Sequence, residues 1–142
     1  MDYRRFENTI VVRIDKGEEI LENLVKVCQK ENVKLANVNA LGAIGEFTVG
    51  LFDTKQKQYF SSTYTGDFEI VSLTGSITTK EGKTYTHIHL SAGDKENKVY
   101  GGHLNKAIVS ATCEMFIQVI PGRVERKLDE EVGLNLFEFL EN

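Results

Sequence analysis

Apolar and polar positions along the chain predict one helix among many strands. Thr9-Ile10-Val11-Val12-Arg13-Ile14 is a β-branched run that reads as a strand, closed by Asp15-Lys16-Gly17. The period then changes. Ile20, Leu21, Leu24, Val25, Val27 and Cys28 recur at helical spacing with Glu and Lys opposite them, which predicts the one long helix over 18–31. Residues 33–52 are largely apolar and interrupted by Gly42, Gly45 and Gly50, the pattern of a long strand bent at glycine bulges. The Gly42-Ala43-Ile44-Gly45 segment lacks the spacing of a nucleotide-binding glycine motif and no helical pattern follows it, so a phosphate loop is not expected.

Residues 58–65 alternate weakly, and Gly66-Asp67 predicts a turn into a central strand over 68–78 that is partly apolar on both faces. After a turn at Lys80-Glu81-Gly82-Lys83 comes a run in which Tyr85, His87, His89 and Ser91 share one face while Thr86, Ile88, Leu90 and Ala92 share the other, the core side. Turn formers fill 92–97, so 85–91 and 99–104 are expected to be the arms of a hairpin. A further strand over 107–120 sets Ala111, Cys113, Met115 and Ile117 against Thr112, Glu114, Phe116 and Gln118. Pro121-Gly122 is a turn, 123–128 a short edge strand of alternating charge, and 134–140 an apolar tail. The sum is an α+β fold, a mostly antiparallel, mixed sheet flanked by one main helix, in a single domain over 1–142.

The hairpin changes the picture because it holds every histidine in the chain. Same-face neighbours on a strand lie about 6.6–6.8 Å apart. His87 and His89 are such neighbours, and His103 follows 14 positions later behind Gly101-Gly102, which allow a bulge or a close backbone approach. Such a pair on its own reads more readily as surface or satisfied core histidines than as metal ligands. The concentration of all three within 17 positions of a 142-residue chain points instead to a metal site at His87, His89 and His103. Three imidazoles with a fourth position open are the donor set of catalytic rather than structural Zn²⁺. Glu114, in the middle of an apolar strand, needs a partner if buried. Its pattern leaves open a solvent-facing side chain or a group beside the metal.

Composition narrows the functional classes. With 41% hydrophobic and 27% charged residues, 142 residues suffice for one core. Seventeen Lys and Arg against 21 Asp and Glu leave a net charge of −4, so no global charge favours a phosphate backbone. No apolar leader or membrane-spanning run is present, and a cytoplasmic protein is expected. Cys28 and Cys113, far apart in a helix and a strand, read as reduced buried thiols.

Several blocks together resemble one family. Ala40-Leu41-Gly42-Ala43 with Phe47-Thr48, then the run from Gly66-Asp67-Phe68-Glu69 to Leu73-Thr74-Gly75, His87-Ile88-His89, Gly101-Gly102-His103-Leu104, Thr112-x-Glu114 and the ending Arg126-Lys127-Leu128-Asp129 with Gly133-Leu134-Asn135-Leu136 are similar to the plants-and-prokaryotes-conserved (PPC) domain in its bacterial and archaeal branch. The resemblance covers essentially the whole chain. It implies a homotrimer of largely antiparallel domains, with the three-histidine pattern complete here and Glu114 at the family's glutamate position near it. The plant branch reaches DNA through an AT-hook with an R-G-R-P core. No such core occurs here, where Pro121 is the only proline, so DNA binding is expected to be weak or absent.

Two readings of function follow. One is an oligomeric binding or regulatory module whose pockets are shaped by metal and take an unidentified small molecule. The other is a metal-dependent hydrolase or lyase using zinc-bound water, whose pKa the metal lowers to about 7, with Glu114 as proton acceptor. DNA association through a local basic patch of Arg4, Arg5, Arg123, Arg126 and Lys127 is a weaker third reading.

Overall fold

The structure, a computed structural model, describes residues 1–140. A helix and eight strands follow in the order β1 (Asp2–Phe6), β2 (Thr9–Asp15), α1 (Ile20–Lys30), β3 (Ala36–Asp53), β4 (Gln58–Lys80), β5 (Lys83–Gly93), β6 (Val99–Val119), β7 (Glu125–Asp129) and β8 (Leu134–Glu138). The α+β expectation holds in outline, but the molecule is dominated by sheet. One sheet runs β1-β2-β6-β3-β4-β7-β8, and β5 pairs with both β4 and β6. β3, β4, β5 and β6 therefore close a ring of hydrogen-bonded pairs. Every pairing is antiparallel except the β4–β7 contact at Thr79 and Glu125.

The helix starts where one carboxylate performs two tasks. Glu19 accepts the backbone N–H of Glu22 at 2.6 Å, capping α1, and accepts Ala107 N–H at 2.9 Å, which ties the cap to β6. The predicted apolar stripe is the buried face: Ile20, Leu24, Val27 and Cys28 lie against β5 and β6. They join Ile10, Ile14, Ile44, Phe47, Ile77, Ile88, Leu90, Met115 and Ile117 in one core. Both cysteines are free and buried there, as the spacing predicted.

The long strands differ from the sequence reading in three places. Gly66-Asp67 is a bulge rather than a turn: the β3–β4 register passes from Glu46–Thr65 to Ile44–Phe68, and Gly66 takes φ 146° without breaking β4. The runs at 99–104 and 107–120 are one 21-residue strand, with register shifts against β3 at Thr48–Val49 and near Ile44. The C-terminal apolar tail is a strand, β8, which forms a hairpin with β7. An N-terminal hairpin also precedes β2, turning through Glu7 at φ 51°, a residue that carries no turn signature.

Two turns match their chemistry. Glu81 and Gly82, at φ 52° and 77°, make the two-residue link from β4 to β5. Between β5 and β6, Asp94 accepts the backbone N–H groups of Glu96 at 3.0 Å and Lys98 at 2.9 Å, fixing the hairpin that carries the histidines.

Candidate metal centre

Strand alternation on β5 sends Ile88, Leu90 and Ala92 into the core and leaves His87 and His89 on the opposite face. The β5–β6 register then sets His103 directly across from His89. β6 can come this close because Gly102 lies against Gly50 of β3. A Cβ on Gly102 would stand 2.7 Å from the Gly50 carbonyl oxygen, a separation real Cβ atoms essentially never show. The ring centres lie 5.1 Å apart for His87–His89, 5.3 Å for His87–His103 and 5.7 Å for His89–His103.

One nitrogen from each ring falls within 4.8 Å of the others. With Zn–N bonds of about 2.0–2.1 Å, a tetrahedral centre needs nitrogens about 3.3–3.4 Å apart, so metal binding would draw the three rings together. The residues present thus fit a metal held by three imidazoles. Burial lowers the pKa of His87 and His103 below the ordinary histidine value, and the neighbouring histidines add to the effect. The shift favours the neutral form, which is the one that coordinates. Tyr59 from β4 closes over His103, with its ring edge-on at 6.2 Å and its hydroxyl donating to Asn105 Oδ1 at 2.6 Å.

The three histidines line a groove of about 1020 Å³ whose walls come from β3, β4, β5, β6 and the β7–β8 hairpin. Arg126 reaches this groove from β7. Its guanidinium donates from Nε to Thr78 Oγ1 at 3.0 Å, from Nη1 to the Asn135 carbonyl at 3.1 Å and from Nη2 to Ser76 Oγ at 3.3 Å. It also sits over the rings of Phe137 and Tyr85, 4.2 and 5.1 Å from their centres. The sequence reading grouped Arg126 with Arg4, Arg5, Arg123 and Lys127 in a candidate basic patch; its burial was not foreseen.

Glu114 is not brought to this site within the chain. It pairs in register with Leu41 and Arg13, is exposed, and lines a separate shallow groove with Leu41, Val71 and Phe116. Of its two sequence readings, the solvent-facing one describes this chain, because the odd-numbered positions 113, 115 and 117 take the core side of β6. The basic residues also fail to form a free patch. Arg4 pairs with Asp2, Arg5 with Glu31, Arg123 with Glu125 and Lys127 with Glu138, while Arg126 is buried.

Comparison with known proteins places the fold in a family. The model of the Plants and Prokaryotes Conserved (PCC) domain matches residues 1–121. A Bacteroides thetaiotaomicron protein described as a candidate DNA-binding protein is 30% identical, with a TM-score of 0.95 over 97% of this chain and 96% of its own. A metal-containing protein of Archaeoglobus fulgidus is 29% identical, with a TM-score of 0.88 over 97% of each chain. A plant- and prokaryote-conserved protein of Pyrococcus horikoshii is 30% identical, with a TM-score of 0.84 over 99% of this chain and 96% of its own. No curated protein sequence matches the chain.

Proposed function

The chain belongs to the Plants and Prokaryotes Conserved domain family, and on that premise we propose that it is a self-associating metal-binding module that receives a small ligand at a zinc centre made by His87, His89 and His103. The convergence of three imidazole nitrogens within 4.8 Å, on a groove large enough for a ligand, carries this reading. Imidazole nitrogen suits Zn²⁺ among several divalent metals. A neighbour of the same fold is called metal-containing, which supports the same assignment.

Trimer formation is proposed with it. Leu41, Val71 and Phe116 are exposed side by side on the outer face of the sheet, and Phe137, Phe139 and Leu140 are exposed at the C-terminal end. Contiguous apolar surface of this kind marks interaction sites. Binding to DNA, the description attached to some neighbours, is given little weight because the five basic side chains of the candidate patch are paired or buried. The hydrolase or lyase reading is also weakened: Glu114 stands outside the groove, and among the described residues no carboxylate lines it. No helix is long and apolar enough to cross a membrane.

Competition with a chromophoric chelator tests the proposal. One zinc ion should bind per chain, and changing His87, His89 or His103 singly to alanine should remove most of that binding while the fold survives. Retention of full zinc affinity in the His89→Ala protein would refute the assignment.

A further inference from the structure

We propose that the histidine groove is a receptor for a small organic acid, with Arg126 receiving the carboxylate while a second oxygen of the ligand faces the three-histidine centre. The inference rests on the metal-binding reading above and adds the chemical class of the ligand. Its starting point is a charge out of place. Arg126 is only 8% exposed, yet among the described residues it forms no ion pair with a carboxylate. Glu125, its neighbour in sequence, turns away to Arg123 and Thr79. A guanidinium withdrawn from water without a counter-charge carries a large desolvation cost, and cation–π contacts with two rings recover only part of it.

The donor count shows what is left for a ligand. A guanidinium has five N–H groups. Thr78, the Asn135 carbonyl and Ser76 take three of them, one from each nitrogen. One N–H on each terminal nitrogen remains for the carboxylate oxygens of a ligand. Phosphate recognition usually adds backbone amides at a helix start, but the start of α1 is occupied by the Glu19 side chain.

Position links this receptor to the histidines. Ser76, bonded to Nη2, is the cross-strand partner of His87, and Tyr85, whose ring underlies the guanidinium, precedes His87 by two residues on the same face. Through Ser76 the guanidinium stands beside His87 on the wall of the same groove, a placement that suits a small hydroxy acid or dicarboxylate touching both. Among the described residues no Asp or Glu lines the groove, so Arg126, and a metal at the histidines, would favour negative charge there although the whole chain carries −4. Phe60, Leu51, Leu134 and Leu136 supply apolar walls for the carbon skeleton.

Calorimetry on the full chain, after its zinc stoichiometry has been measured, tests this with lactate and malonate against lactamide and malonamide. The acids should bind with Kd below about 1 mM, and each amide at least tenfold more weakly. Arg126→Gln, which keeps side-chain N–H donors for Ser76 and Thr78, should keep its zinc and lose at least tenfold in acid affinity. Equal binding of acid and amide, unchanged acid affinity in folded Arg126→Gln, or no acid binding up to about 10 mM would overturn the proposal. If Arg126→Gln does not fold, the acid–amide comparison on the unaltered protein decides. Zinc binding without acid binding defeats this inference alone. Acid binding that depends on Arg126 in a protein that takes no zinc defeats the metal reading and leaves the carboxylate receptor standing.

Discussion

At the scale of single residues, the account turns on three imidazoles converging on one point and on Glu114 being elsewhere. Burial depresses the pKa of His87 and His103, so protons compete with metal only as pH falls toward and below the unperturbed value of about 6.5. Zinc occupancy followed by chelator competition should be flat above neutrality and decline through the acid range. The metal-free protein should follow the same direction. A histidine whose folded pKa lies below its unfolded value contributes stability that is fully present above the unfolded pKa and is lost as pH falls. Glu114→Gln should leave zinc affinity within about twofold, because the carboxylate lines a different groove. Loss of metal as complete as in His89→Ala would make Glu114 a ligand, reachable only from a second copy of the chain. The histidine triad was legible in the sequence because strand alternation and a glycine pair are local signals. Arg126 was not, since its burial depends on Phe137 and Asn135 arriving from β8.

At the scale of elements, the site depends on how closely β6 approaches β3. Gly102→Ala would press a methyl group against the Gly50 carbonyl, 2.7 Å away. Denaturant melts should show a loss of about 1–3 kcal/mol, the usual cost of overpacking, and zinc affinity should weaken as His103 shifts. An unchanged melting midpoint would mean that the strands separate at no cost. α1 was readable to within two residues from its period, and the bends of β3 from its glycines, because each is encoded within its own segment. Strand continuity was not. Gly66-Asp67 has turn chemistry, yet pairing with β3 on both sides of it carries β4 through as a bulge. Cys28 and Cys113 mark the same core from within: burial pushes both thiols up to about 12. Neither should react with a thiol-specific reagent in the native protein at neutral pH, and both should react after denaturation.

At the scale of the whole molecule, exposed apolar positions on the sheet face and on the C-terminal hairpin need a partner, and a second copy of the chain is the economical one. Light scattering should return about three times the 16.0 kDa chain mass; a monomer at micromolar concentration would remove the trimer. An A·T-rich duplex should bind weakly and release as salt rises, whereas submicromolar, sequence-selective binding at physiological salt would reopen a DNA role. The central claim is a metal in every chain, and size-exclusion chromatography with elemental detection of untagged protein, prepared without chelators, tests it most directly. Two cysteines and two methionines give four sulfur atoms per chain as an internal standard. The account predicts one zinc for every four sulfurs throughout the protein peak. A peak without metal, in protein that also fails to bind added zinc more tightly than about millimolar, would contradict it.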